Sequence, residues 1–244
     1  MKHFIGSCAA LAVACSVQAQ GTIAQWTFTG DVSTPSTGAG TASLIGGTTA
    51  IFAAGATGTP DRGWSTSTYP AQGTGSGTAG ASFAVSTAGI DPATTAISFT
   101  FDLRTSNTAS RWFRVDYTLD GGTSWNLGTA TRLGVADASA GDQWHLGNSL
   151  TIADSAALNN AQFAVRVVSV FSPVAFTQVN GAVSYAANSA YEVARNPASG
   201  TNSAYAGSGT WRFDNVTFTA VPAPGAIALL GLAGLVGARR RRAA

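Results

Sequence analysis

Three stretches of this chain alternate apolar and polar side chains, and a backbone with that period buries one face only as a β-strand. In TAISFTFDLR, Ile97, Phe99, Phe101 and Leu103 fall on one side, while Ser98, Thr100 and Asp102 fall on the other. RWFRVDYTLD repeats the rhythm, with Phe113, Val115, Tyr117 and Leu119 against Arg114, Asp116 and Thr118. QFAVRVVSVF sets Phe163, Val165, Val167 and Phe171 opposite Arg166 and Val168. TIAQWTFTG, from residue 22, and ASFAVST, at 81–87, read as further strands, rich in β-branched and aromatic residues and bounded by turn formers.

The stretch TWRFDNVTFTAV changes phase: Trp211 and Phe213 share one parity, Val216 and Phe218 the other. A bulge at Asp214-Asn215 restores a single apolar face; the alternative is a central strand covered on both sides. No long helical period occurs between residues 20 and 220, where SAALNNAQ makes at most a short turn. Residues 55–80 and 172–209, rich in Gly, Ser, Thr and Asn, read as long loops. Roughly eight to twelve short strands with no internal repeat predict one all-β unit, an antiparallel β-sandwich of the jelly-roll or lectin-like kind.

Thr118-x-Asp120-x-Gly122-x-Ser124-Trp125 fits the Asp-box, Ser/Thr-x-Asp-x-Gly-x-Ser/Thr-Trp, of sialidase-type propellers. A propeller repeats this motif blade after blade, and here it occurs once. Its single copy follows a strongly alternating strand, where a hairpin belongs. The expectation is a structural turn: Asp120 accepts from backbone N–H groups, Gly121 and Gly122 take positive φ, and Trp125 packs beneath the loop.

Charge and residue absences remove several mechanisms. Between residues 20 and 220, eight Arg face ten Asp and Glu192, a net of −3, which excludes a basic groove for nucleic acid. Cys8 and Cys15 both lie within residues 1–19, so residues 20–220 have no thiol or disulfide chemistry. They have no Lys or Met and one histidine, His145, too few ligands for a His/Cys zinc site. A Ser-His-Asp triad would have to use His145, which sits in no recognisable context. A glycan hydrolase needs two carboxyl groups flanking the bond, and no aspartate here lies in a motif that demands one. No catalytic residue and no cofactor are expected. A structural Ca²⁺ at Asp214 and Asn215 is the one metal site the oxygen ligands suggest.

Exposed aromatic faces are what a sandwich offers a sugar. Trp64, Tyr69, Trp144, Tyr185, Tyr191 and Tyr205 lie outside the best strands and are the candidate glycan-binding residues. The alternative for Trp64 and Trp144 is that they lid the ends of the sandwich as core.

The two ends of the chain carry addresses. Residues 1–19 begin with Lys2, continue with an apolar run from about Phe4 to Val17, and close on Val17-Gln18-Ala19. This is a signal-peptide pattern with cleavage between Ala19 and Gln20. A lipoprotein reading through Cys15 is the alternative. The other end runs Val221-Pro222-Ala223-Pro224, an apolar segment Gly225–Ala238, then Arg239, Arg240, Arg241 and Arg242. Fourteen residues of helix span about 21 Å, short of a hydrocarbon core of about 30 Å.

This tail resembles the PEP-CTERM sorting signal of Gram-negative bacteria, with Ala223 where that family usually has Glu. An ordinary C-terminal anchor helix is the alternative. A last strand of the form Trp-Arg-Phe-Asp-Asn-Val leading into such a tail also resembles secreted PEP-CTERM proteins with lectin-like or carbohydrate-module-like sandwiches. The resemblance implies three segments: a signal peptide at 1–19, a sandwich at 20–220 and a sorting tail with a short hydrophobic helix at 221–244. It implies Sec export, contact with the membrane through the tail, processing by an exosortase-type enzyme, and residence at the cell surface or in the extracellular matrix. The expected function is a non-catalytic envelope protein associated with extracellular polysaccharide. The alternatives are a carbohydrate-binding module and, behind it, a glycan hydrolase.

Overall fold

A computed structural model describes residues 21–93, 95–134, 141–175, 178–179, 182–183, 190–193 and 205–222. The proposed signal peptide with Ala19 and Gln20, Tyr185, Ala223, Pro224 and Arg239–Arg242 lie outside the described residues. The strands are β1 (Gly21–Trp26), β2 (Thr37–Gly38), β3 (Thr41–Ile45), β4 (Thr49–Gly55), β5 (Gly58–Ser67), β6 (Gly80–Ala84) and β7 (Thr95–Thr105). After them come β8 (Trp112–Thr118), β9 (Thr131–Arg132), β10 (Gln143–Ile152), β11 (Ala164–Ser169), β12 (Gln178–Val179), β13 (Ala182–Val183) and β14 (Trp211–Pro222). One 3-10 turn, Ser155–Ala157, is capped by Asp154, which accepts from the Ala156 N–H at 3.0 Å. No helix among the described residues is long and apolar enough to cross a membrane.

These strands form an antiparallel two-sheet sandwich. The larger sheet has seven strands, ordered β10-β7-β14-β1-β2, with β5 also on β14 and β4 on β5. The smaller has five, ordered β3-β6-β11-β8-β9. Alternation decides which side of each strand faces inward. Ile97, Phe99, Phe101 and Leu103 of β7 are all buried, as are Phe113 and Val115 of β8 and Val165 and Val167 of β11. Between the sheets lies an aromatic lattice of Trp26, Phe83, Phe99, Phe101, Phe213 and Phe218, with Phe99 and Phe218 rings 4.8 Å apart and Trp26 and Phe83 5.4 Å apart. Tilted and edge contacts of this kind suit the ring quadrupole.

The phase change in the last strand is a bulge. Asp102 on β7 opposes Asp214, Thr100 opposes Thr217, and the extra residue is absorbed at Asn215, with φ 48°. Phe213, Val216 and Phe218 therefore all reach the core. The bulge falls where β14 exchanges partners, since Trp211–Phe213 pair with β5 and Val216–Ala220 pair with β1. A second bulge lies across β7, between His145 and Asn148 of β10. Asp102 ties both together, accepting from the Gly147 N–H at 2.7 Å and from Asn215 Nδ2 at 2.9 Å. Val221 and Pro222 continue β14 opposite Ala96 and Thr95, so the strand runs into the start of the Val-Pro-Ala-Pro motif.

Both stretches expected to be loops contain strands: β12 and β13 pair within 172–209, and the longer departure is in 55–80. Residues 55–80 contain β5, a ten-residue strand paired on both sides, by β4 and by β14. Its sequence, GTPDRGWSTS, has no apolar alternation because Trp64 is its only large inward side chain. Gly63 is required there: a Cβ would lie 2.9 Å from Arg212 Cγ and 3.0 Å from the Phe213 carbonyl oxygen.

Candidate functional site

The Asp-box folds as a turn closed by its own aspartate. Asp120 Oδ1 accepts from the Ser124 N–H at 2.9 Å and the Thr118 hydroxyl at 2.7 Å, and Oδ2 accepts from the Ser124 hydroxyl at 2.6 Å. The Ser124 hydroxyl, then its N–H, then Thr118 hold the carboxyl well below the ordinary carboxylate range. Gly121 and Gly122 sit at φ 71° and 97°, where a side chain would be strained. The turn is thus ionised, rigid and committed to its own geometry.

Trp125 packs against its own loop, with Cζ2 3.5 Å from where a Cβ on Gly122 would stand. It is half-buried, and one face of its ring covers the Arg166 guanidinium at 4.2 Å. Arg166 comes from β11, and its Nε donates to Asp116 Oδ2 on β8 at 2.9 Å. Asp116 is fully buried and also accepts from Arg114 Nε at 2.6 Å and from the Gly128 N–H at 3.1 Å. A buried carboxylate shared by Arg114 and Arg166 therefore anchors the guanidinium beneath the indole, while its own turn holds the indole from the side.

Beside Trp125 the outer face of the smaller sheet forms a groove of about 570 Å³, within the range of small-ligand sites. The register supplies its floor. Thr41, Ala84, Ala164 and Thr118 lie side by side across four strands, and Ser43, Ser82, Arg166 and Asp116 form the next row on the same face. Ala84 and Ala164 leave depth in the middle. Gly121, Gly122 and Trp125 form one wall and Ala39–Gly40 the other, with Gln162 at the end. Gly40 keeps its rim low by necessity: a Cβ there would stand 2.6 Å from the Ala84 carbonyl oxygen and 2.8 Å from the Trp26 ring.

The residues expected to bind glycan lie elsewhere. Trp64 is 6 % exposed and stacks on Phe28 at 5.7 Å, and Tyr69 is buried against Trp211 at 5.2 Å, so both belong to the core. Trp144 is half-buried on edge strand β10, opposite Arg104, on the outer face of the other sheet. Tyr191 is fully buried; it stacks on Tyr205 at 4.7 Å and donates its hydroxyl to the Thr74 carbonyl at 2.8 Å. Tyr205 donates to the Pro70 carbonyl at 2.8 Å. Burial raises both phenols above their ordinary range. Together they close the sandwich end away from the groove, near Ser169 and Ser110, by joining the 70–77 segment to the 190–193 segment.

Asp214 does not form the suggested calcium site. It is fully buried, Oδ2 accepts from the Ala56 N–H at 2.8 Å, Oδ1 accepts from the Asn215 N–H at 2.7 Å, and Asn215 Nδ2 is given to Asp102. N–H groups aimed at both oxygens suit an anion or a shared proton and repel a cation. The Asp61 carboxyl contacts Asp214, whose own acidity is shifted to about 6, first by burial and then by the charge of Asp61. No group of three or more His, Cys, Asp or Glu among the described residues is placed to hold a metal ion.

Sequence reasoning missed Trp125 as a surface residue, and with it Ser43, Ser82 and Gln162. A residue inside a structural motif is easily assigned to that motif, and the other three carry no motif at all. Neither a family model nor a curated protein sequence matches this chain. Among solved structures, the CBM22-1 xylan-binding domain of Xyn10C from Paenibacillus barcinonensis is similar in fold. It has a TM-score of 0.42 and 9 % sequence identity, covering 84 % of this chain and 98 % of that one.

Proposed function

We propose that this chain is an exported, non-catalytic β-sandwich that binds polysaccharide at the cell envelope through the groove beside Trp125. The observation that carries the reading is the indole itself, fixed from two sides and lining a groove whose other residues are mostly small or hydroxyl-bearing. A rigid aromatic wall orders no side chain on binding, so stacking a sugar ring on it loses little to entropy.

Support for a non-catalytic role comes from the carboxylates. None lines the groove. Asp116 is buried under four donors, two of them from Arg114, and Asp120 closes its own turn. Asp61 and Asp214 touch each other, whereas a glycosidase holds its pair roughly 5–10 Å apart with the bond between them. Export and surface sorting rest on the sequence: the signal-peptide pattern at 1–19 and the PEP-CTERM-like order of the tail at 221–244. On this reading an exosortase-type enzyme acts on the tail.

Affinity electrophoresis of the full chain through gels containing soluble polysaccharide tests the groove. Retardation that disappears in Trp125→Ala and persists in Trp144→Ala is the expected result. Equal retardation of all three proteins refutes the assignment. Intact mass of the protein isolated from its native envelope tests the sorting: loss of residues 1–19 and of the tail beyond about Pro224 is expected, and a tail retained in full refutes processing.

A further inference from the structure

Arg114 and Arg166 meet on one carboxylate. Asp116 accepts from Arg114 through Nε at 2.6 Å and Nη2 at 3.1 Å, and from Arg166 through Nε alone at 2.9 Å. The two-point contact with Arg114 is the stronger partnership, so the guanidinium beneath Trp125 keeps a charge that Asp116 does not offset. The carboxylate is fully buried, whereas the side chains of Arg114 and Arg166 are 21 % and 17 % exposed. Solvent on this part of the sheet therefore meets the cations and not the anion between them.

Arg166 is held in a way that leaves one edge open. The indole covers a face of the guanidinium at 4.2 Å, and Asp116 takes the Nε edge. A planar guanidinium stacked by its face still directs its N–H groups outward in its own plane. Among the described residues, neither Nη group of Arg166 makes a hydrogen bond, and neither is buried from solvent. Ser82 pairs directly with Arg166 across β6 and β11, which puts this fork at the margin of the groove floor. Two parallel N–H donors in one plane are the match for a carboxylate. Asp120 is the other charge nearby, but it does not line the groove, and its oxygens are engaged by Thr118 and Ser124. An ammonium on the open face of Trp125 would lie one ring away from the Arg166 charge, which weakens the attraction an indole otherwise offers a cation.

We infer that the polysaccharide bound in this groove is acidic: one sugar ring lies on the open face of Trp125, and a carboxylate from a neighbouring sugar of the same chain is taken by the free Nη edge of Arg166 beside Ser82. The inference rests on the reading of the groove as a glycan site and names the ligand class for it. Arg166 then has two roles, supporting the indole and binding the acid group, and only the second depends on the charge of the ligand.

The probes are polygalacturonate and alginate, each beside its carboxyl-reduced form, in affinity gels with the full chain at about 0.15 M salt, where long-range charge effects are largely screened. Every protein carries Arg239–Arg242→Ala, so that the basic tail does not itself hold a polyanion. At least one acidic polymer is expected to retard the chain with a Kd about tenfold lower than that of its reduced form. Trp125→Ala should weaken both forms. Arg166→Gln should bring the two forms to equal affinity, and Ser82→Asp, which sets a carboxylate beside an intact Arg166, should do the same. If Arg166 only supports the indole, its loss lowers both affinities and leaves their ratio unchanged, which overturns the acid site. Equal affinity of the parent for the two forms, or tighter binding of the reduced one, with dependence on Trp125 kept, also overturns it and leaves the glycan site standing. Retardation by no polymer, or retardation indifferent to Trp125→Ala, overturns both.

Discussion

Replacing Asp214 by Asn should change how stability depends on pH, in a direction set by the burial of its carboxyl. The folded carboxyl keeps its proton up to about pH 6, against 3.8 for a free aspartate, so in that window the folded chain binds more protons than the unfolded one. Stability from this group is therefore fully present below 3.8 and falls as pH rises through the window. Above it both states are ionised, and the separation of acidities, at about 1.4 kcal/mol per factor of ten, amounts to about 3 kcal/mol. Asp61 beside it runs the other way. Burial raises it, but the Thr57 and Arg62 donors outweigh burial and hold it below 3.8, so its contribution is lost only in stronger acid.

The substitution has a fixed cost as well. Both oxygens of Asp214 accept backbone N–H groups, and an amide must turn its NH₂ toward one of them, about 1–3 kcal/mol at any pH. The variant should therefore be less stable than the parent at pH 4 and equal or more stable at pH 7.5. The difference between the two comparisons should come to about 2–3 kcal/mol. Urea unfolding of both proteins at pH 4, 5, 6 and 7.5 reads this out, provided their m-values agree. A stability difference that stays constant within about 0.5 kcal/mol across that range would show that Asp214 is ionised throughout and that the argument from its burial is wrong.

Trp64→Ala removes a core ring stacked on Phe28 and should cost about 3–5 kcal/mol in urea unfolding; a loss under about 1 kcal/mol, as at an exposed site, would contradict its burial. Asp102→Ala releases the Gly147 N–H and Asn215 Nδ2 at once, at about 1–3 kcal/mol. Hydrogen exchange should accelerate at Gly147, whose N–H loses its acceptor; an unchanged rate there would mean that the carboxylate is not the clasp. Gly40→Ala drives a methyl against the Ala84 carbonyl and Trp26 ring and should lower stability by about 1–3 kcal/mol; a Tm equal to the parent's would mean that the groove rim is not rigid.

What was legible in the sequence is what depends on period. The alternation in β7, β8 and β11 determined which side chains turn inward, because a two-residue repeat admits one buried face, and the slipped phase at Asp214-Asn215 announced a bulge. The hairpin role of Asp120 was legible for a similar reason: its partners Thr118 and Ser124 lie within four residues of it.

Strand β5 was not legible. Thr, Ser and Gly carry no burial signal of their own, and only pairing with β4 and β14 makes GTPDRGWSTS a strand and draws Trp64 inside. Tyr191 and Tyr205 read as loop aromatics until the 70–77 segment folds against them. The groove depended on tertiary structure altogether. Its floor comes from β3, β6 and β11 and its aromatic wall from the turn after β8, whose indole rests on an Arg166 bound to Asp116 fifty residues away in the chain. The residues themselves decided that Trp125 would sit in a rigid turn; where its free face points was decided by the guanidinium that β11 places beneath it.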